Sequence, residues 1–315
     1  MRKDNLTWVS EFVLMGLSSD RQIQARLFVL FGAAYLLTLL GNGLIVLVIG
    51  LDRQLHLPMY FFLCNLAVLD ICYISSWAPQ MLAHFLLEKK TISFTRCATQ
   101  LLFSLALAGT EFLLLAAMAY DRYVAVCDPL RYVVVMGPRR CAALALVSWL
   151  VGLANSAVET AVTMRLPTCG HHVLNHVSCE TLALVRLACV DITLNQAVIM
   201  ASSVVVLLLP CFLVSLSYTH IVVAILRIHS TSGRLKAFGT CASHLTVVSM
   251  SYGMALVTYM QPSSRASAEK DKVVVLFFAV VTPMLNPLIY SLRNKEMKAA
   301  LSRVLMRGLS QHFNM

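Results

Sequence analysis

The chain has 315 residues, 59% of them hydrophobic and 13% charged, with a formal net charge of +10. A soluble domain of this size has too little polar surface to cover so much apolar material, and the mean hydropathy of +0.76 makes lipid the expected solvent. The basic excess follows membrane topology, so nucleic acid is not an expected partner.

From the N-terminus, Arg2 and Lys3 are followed by a polar stretch rather than an apolar core, so no cleavable signal peptide is expected. The first span then serves as its own insertion signal. Asn5-Leu6-Thr7 is an N-glycosylation sequon. A spanning helix needs about 20 mostly apolar residues. Seven segments qualify: 27–51, 57–80, 97–120, 141–158, 192–226, 237–264 and 273–292. The second carries only Asp70 and the third only Glu111. The fifth is longer than one bilayer needs, so its first residues should project from the membrane. The predicted fold is an all-α membrane protein, a seven-transmembrane helix bundle.

An odd number of spans puts the termini on opposite sides. With the N-terminus outside, the inner side holds 13 bases against four acids, and the outer side 12 bases against nine acids. Basic residues collect on the cytoplasmic side, so the N-terminus is expected to be extracellular. Asn5 is then on the glycosylated side. Beyond residue 293, Met297, Leu301, Val304 and Leu305 form an apolar stripe among Lys295, Lys298, Arg303 and Arg307. That pattern predicts an amphipathic helix on the inner leaflet. The expected divisions are a tail over 1–26, a seven-span domain over 27–292 and a cytoplasmic tail over 293–315.

Six cysteines (Cys64, Cys72, Cys127, Cys141, Cys211 and Cys241) fall within spans or at their inner ends and read as small buried hydrophobes. Cys97, Cys169, Cys179 and Cys189 lie outside, where oxidation is expected, and two disulfides among four cysteines allow three connectivities.

The polar residues inside the spans are the candidates for function. Asp121 and Arg122 stand side by side at the inner end of the third span, where a charge is costly and usually functional. Asp70 and Glu111 lie at mid-membrane depth, and burying either one ionised and unpaired is expensive. Asn42, Asn65, Asn286 and Ser291 are the polar groups expected near them. Pro210 and Pro287 each remove a backbone donor from a span and permit a kink. His220 and His244 read as isolated structural residues. No HExxH, GxSxG or GxxxxGK[ST] pattern is present, so an enzyme is not expected. Paired inverted halves with broken helices, the mark of a transporter, are not evident.

Six motifs occur in order: Gly41-Asn42, PMYFFLCNLAVLD at 58–70, MAYDRYVAVCDPLRY at 118–132, Ser217-Tyr218, KAFGTCASH at 236–244 and PMLNPLIYSLRNKE at 283–296. Together they resemble the olfactory receptors, within the rhodopsin-like G-protein-coupled receptors, over residues from about 5 to 305. The departures from the family pattern are Asp128 for Asn, Gly239 for Ser, and Ser251 where Phe often precedes Tyr252. The last of these is expected to alter pocket size.

The resemblance implies an odorant receptor in the plasma membrane, with the C-terminus cytoplasmic. It would bind a small, neutral volatile ligand in the bundle and raise cAMP through a stimulatory, olfactory-type G protein. It would have no cofactor, and its other partner would be the lipid bilayer. A ligand site is implied at Ser104, Leu105, Ala108 and Gly109 on the third span, and at Ser202, Ser203 and Val206 on the fifth. Tyr252, Ala255, Leu256 and Tyr259 would join from the sixth, and Leu276 and Phe277 from the seventh. A switch is implied at Asp121, Arg122, Tyr123, Tyr218, Lys236, Pro287 and Tyr290. In it the Asp121–Arg122 pair holds the helices closed near the inner end of the sixth span. A polar cluster of Asn42, Asp70, Glu111 and Asn286 is implied, with a sodium ion as possible occupant at Asp70 and Glu111. The pairing implied is Cys97–Cys179 and Cys169–Cys189.

Overall fold

The computed structural model describes residues 9–259 and 268–313. Asn5 lies outside the described residues, as do the side chains of Lys236, Tyr259, Ser291, Lys295, Leu305 and Arg307.

The first helix, α1 (Arg21–Leu51), starts six residues before its apolar run. Asp20 causes the early start, because its carboxylate accepts from the Gln22 and Ile23 amides and satisfies donors the helix cannot. Next come α2 (Pro58–Leu86), with proline at its first position where no amide donor is needed, and α3 (Phe94–Cys127). A short α4 (Tyr132–Val135) leads into α5 (Pro138–Met164), the fourth span. The loop at the end of the bundle beside the tail, the end expected to be outer, carries α6 (Thr181–Val185). The fifth span is α7 (Thr193–Ser203) and α8 (Leu209–Leu226), joined by a π-turn over Val204–Leu208. Pro210 accounts for that turn: its ring crowds the carbonyl four residues back, and the wider π spacing gives it room. The sixth and seventh spans are α9 (Thr231–Tyr259) and α10 (Ala268–Arg293), followed by α11 (Lys295–Phe313).

Five helical segments among the described residues are long and apolar enough to cross a membrane: α1, α2, α3, α5 and the continuous 193–226. In α10 the apolar stretch is Val275–Tyr290. Leucines and valines on α1, such as Leu30, Leu37 and Leu40, point outward and stay exposed, which suits a surface bathed in lipid.

Small residues set a close crossing of α3 and α5. Gly152 on α5 lies so near α3 that an added Cβ would stand 2.8 Å from the Ala106 carbonyl oxygen. Gly109 faces Gly152 across the same seam, and the Ser156 hydroxyl donates to the Leu102 carbonyl at 2.5 Å. The Gly41-Asn42 pair serves α10 in two ways. A Cβ at Gly41 would sit 3.0 Å from the Pro287 ring, so glycine leaves room for it. Pro287 cannot donate to the Pro283 carbonyl four residues earlier, and the Asn42 amide supplies that hydrogen bond at 3.0 Å.

Three short strands roof the outer end. The tail strand β1 (Glu11–Leu14) pairs antiparallel with β2 (Thr91–Ser93) and parallel with β3 (Val173–Leu174). The Lys272 ammonium of α10 donates to the Gly16 carbonyl at 2.8 Å and to the Asn175 side-chain oxygen at 3.1 Å. Tail, outer loops and seventh helix are thus tied together. Disulfides join Cys97 to Cys179 and Cys169 to Cys189. At the inner end α11 packs Met297 and Ala300 into the core, so part of its apolar stripe faces protein rather than lipid. Arg303 pairs with Asp52 of the first inner loop at 2.6 Å, and the Tyr60 hydroxyl donates to Glu296 at 2.8 Å.

Candidate ligand cavity and inner switch

A cavity of about 200 Å³ opens beneath the roof between α2, α3, α9 and α10. Its walls include Tyr73 and Trp77 of α2, Ser104, Leu105 and Ala108 of α3, Ala255 of α9, and Leu276 and Ala279 of α10. The roof is the loop segment from His176 to Thr181, held over α3 by the Cys97–Cys179 bridge. Gln100 reinforces it by accepting from the Cys179 amide at 2.8 Å. Burial in the roof lowers the His176 pKa, which favours neutral imidazole there. The walls are mainly apolar with a few polar groups, as small-molecule sites usually are.

Of the residues expected to contact ligand, Ser104, Leu105, Ala108, Ala255 and Leu276 border this cavity. The others with described side chains do not. Gly109 and Val206 pack against each other, so that a Cβ added at Gly109 would lie 3.4 Å from a Val206 methyl. Ser202 donates to Glu159 of the fourth span at 2.7 Å and accepts from Asn155. Ser203 turns back to the Ile199 carbonyl of its own helix. Phe277 is 56% exposed and faces outward, and Leu256 is a half-buried residue packed against the main core. No described residue of the fifth span lines the cavity. Tyr252 is turned toward α3: its hydroxyl donates to the Phe112 carbonyl at 2.7 Å, and the two rings lie 5.0 Å apart. Phe112 is the member of this pair that borders the cavity.

The lining residues missed include Tyr73, Trp77, Phe112, the His176–Thr181 roof, Ser251, Ala279 and Thr282. Cys179 held the usable signal, because a loop cysteine bridged to the third span must lie over the space below.

By hydrogen bonding the polar residues expected as one cluster form three sets, with the Asp70 and Glu111 carboxylates near enough to interact electrostatically. The Asn286 amide donates to Asp70 at 2.9 Å, and the other Asp70 oxygen is buried with no partner among the described residues. Ser251 donates to Glu111 at 2.9 Å. Asn42 serves the Pro283 carbonyl. Asn65 belongs to none of these, since its side-chain oxygen accepts from the Trp149 indole on the fourth span. Among the described residues no three His, Cys, Asp or Glu side chains are grouped to hold a metal.

At the inner end Arg122 is 8% exposed and Asp121 1%, and the guanidinium binds the neighbouring carboxylate through Nε at 3.1 Å and through Nη2. The other Asp121 oxygen accepts from Tyr132 at 2.8 Å. The pair is therefore fastened to the second inner loop, and Arg122 lies near Cys241 and His244 of the sixth span with no hydrogen bond or ion pair to that span among the described residues. Residues 231–250 contain no acid, so that helix has no carboxylate to offer. Its tie to α3 at this end is His244. The Leu115 carbonyl can only accept, so His244 Nε2 donates to it at 3.1 Å, leaving Nδ1 to accept from the Tyr218 hydroxyl at 2.7 Å. His244 is accordingly a bridge among three helices rather than an isolated residue. His220 lies against Tyr123, with ring centres 5.8 Å apart. Tyr290 is buried, and its hydroxyl has no partner among the described residues.

A family model described as olfactory receptor matches residues 31–308. Olfactory receptor 2F1 of Homo sapiens is 57% identical over 307 residues, which is 98% of this chain and 97% of the relative. The olfactory receptor-like protein OLF3 of Canis lupus familiaris is 57% identical over 305 residues, 97% of this chain and 96% of the relative. Olfactory receptor 2B6 of Mus musculus is 49% identical over 303 residues, with 96% and 97% covered. The seven-span bundle, the multi-pass membrane placement and the absence of enzymatic activity follow from this membership. The chain belongs to the olfactory receptor family, whose members act on odorants and couple to G proteins.

Proposed function

We propose that this odorant receptor binds a small volatile ligand in the cavity beneath the roof and raises cAMP through a stimulatory, olfactory-type G protein. The cavity carries the proposal. It is enclosed by α2, α3, α9, α10 and a disulfide-tied loop, and its 200 Å³ falls below the roughly 300–1,000 Å³ of drug-sized sites. Ligand contact is assigned to Ser104, Leu105, Ala108, Ala255 and Leu276, with Tyr73, Trp77 and the loop added. A ligand pressing on Phe112 moves the partner of Tyr252, and α9 transmits that displacement to His244 and Tyr218. Asp121, Arg122, Tyr123, Lys236, Pro287 and Tyr290 are assigned to the inner response. The N-terminus is assigned to the outside, with Asn5 glycosylated and both disulfides in the oxidising compartment, and the divisions 1–26, 27–292 and 293–315 are kept. The orphaned Asp70 oxygen is the atom that would meet a sodium ion, and the second oxygen of Glu111 would complete the site from α3.

The test is a cAMP reporter in cells expressing the receptor and the olfactory-type stimulatory G protein, challenged with an odorant panel. An odorant should raise cAMP through the wild type, and Arg122→Ala should abolish the response at an unchanged surface level. Full signalling by that variant would contradict the assignment.

A further inference from the structure

We infer that Trp77 selects the ligand, and that the ligand presents a neutral hydrogen-bond acceptor, a carbonyl oxygen, to the α2 wall of the cavity. The inference rests on the odorant-receptor reading and names the ligand class for the same cavity. Trp77 borders the cavity and is 4% exposed, and its indole Nε1 is buried with no partner among the described residues. An indole nitrogen donates and does not accept, so only an acceptor meets it, and leaving it unmet in an apolar surround is costly. Tyr73 lies one helical turn away on the same face of α2, its ring centre 6.4 Å from that of Trp77, and it borders the cavity too. Its hydroxyl and that of Thr282 on α10 make no hydrogen bond among the described residues. The other hydroxyls on the wall are engaged: Ser104 with Ser76, Ser178 with His176, Thr181 with Glu159 and Ser251 with Glu111. The unmet side-chain donors of indole and hydroxyl type are therefore those of α2 and α10. A carbonyl oxygen has two lone pairs, enough for the indole and one hydroxyl. Among the described residues no lysine or arginine lines the cavity, whereas Glu111 and Glu180 do. Two acids and no base disfavour a carboxylate head, which leaves a neutral acceptor.

Packing positions the indole. Trp77 shares a buried cluster with Ile74, Val177, Leu276 and Val280, so α2, the roof and α10 together fix its ring. Seven residues separate it from Asp70, which is roughly 10 Å along a helix. The indole thus lies nearer the roof than the Asp70–Asn286 pair does, and an acceptor seated on it leaves the proposed sodium site at Asp70 and Glu111 free. A site with such a buried donor rejects an analogue of the same shape that lacks the acceptor.

The experiment uses the whole receptor in cells with a surface label and the cAMP reporter. The probes are matched ketones, their exomethylene analogues with a methylene carbon in place of the carbonyl oxygen, and the corresponding secondary alcohols. In the wild type the ketones should act at concentrations about tenfold or more below the exomethylene analogues, and no higher than the alcohols. Trp77→Phe keeps an aromatic ring without a donor. It should bring the ratio of analogue to ketone concentrations near one while keeping surface level and the response to the analogues. Tyr73→Phe removes one hydroxyl and should lower the ratio less; it serves if the Trp77 variant does not reach the surface. Three results would overturn the inference and leave the receptor reading standing: exomethylene analogues as potent as ketones in the wild type, alcohols more potent than ketones, or a ratio unchanged in Trp77→Phe, or in Tyr73→Phe where that variant alone is expressed. Silence to every odorant class with receptor at the surface would overturn the receptor reading itself.

Discussion

Tyr252 donates to the Phe112 carbonyl and lays its ring against that of Phe112, so one side chain joins the sixth span to the third beside the cavity wall. Tyr252→Phe removes a neutral hydrogen bond worth roughly 0.5–1.5 kcal/mol and keeps the ring. The agonist response should shift to higher concentration by about tenfold or less, at constant surface expression. Tyr252→Ala also removes the ring contact and should lose the response, and a wild-type response from it would break the proposed link between cavity and switch. The sequence placed Tyr252 at mid-membrane depth, but its direction depends on how α9 is rotated against α3, which no single segment encodes. Gly41 and Asn42 pose the same problem. Their motif was recognisable, whereas their service to the Pro287 kink appears only when α1 and α10 lie side by side.

Between elements, the crossing of α3 and α5 depends on Gly152, which faces the Ala106 and Thr110 backbone as well as the Thr110 hydroxyl. Gly152→Ala would place a methyl group 2.8 Å from the Ala106 carbonyl oxygen and against the Thr110 hydroxyl. Such overpacking costs about 1–3 kcal/mol, so thermal stability and surface level should fall. Gly50→Ala, with nothing within 4 Å of its added Cβ, is the control and should match the wild type or exceed it. Equal stability of the two variants would contradict a crossing this tight. The spans were legible because lipid demands long uninterrupted apolar runs. The three-stranded roof was not, since strands of two to four residues carry little periodicity and form only by long-range pairing. Pro210 announced an irregularity in the fifth span, and the π-turn is the form it took.

Over the whole molecule, both ends of the bundle are tied. The outer end is fastened by the strands, Lys272 and two disulfides, and the inner end by Asp121–Arg122–Tyr132 and by Arg303–Asp52. Hydropathy, charge asymmetry and motif order were enough to identify the bundle and the family. The cavity lies away from the fifth span, because Ser202 and Val206 spend their contacts on the fourth and third spans. The most direct test of the account is therefore where bulk blocks an agonist. Ala279 borders the cavity on the seventh span, and Ser203 lies on the fifth span away from it. With an identified agonist, concentration–response curves for Ala279→Phe and Ser203→Phe should be compared at matched surface level. The account predicts a rightward shift of tenfold or more for Ala279→Phe, on the order of 1.4 kcal/mol or above, and a near-wild-type curve for Ser203→Phe. A wild-type curve for Ala279→Phe together with loss of response in Ser203→Phe would contradict it.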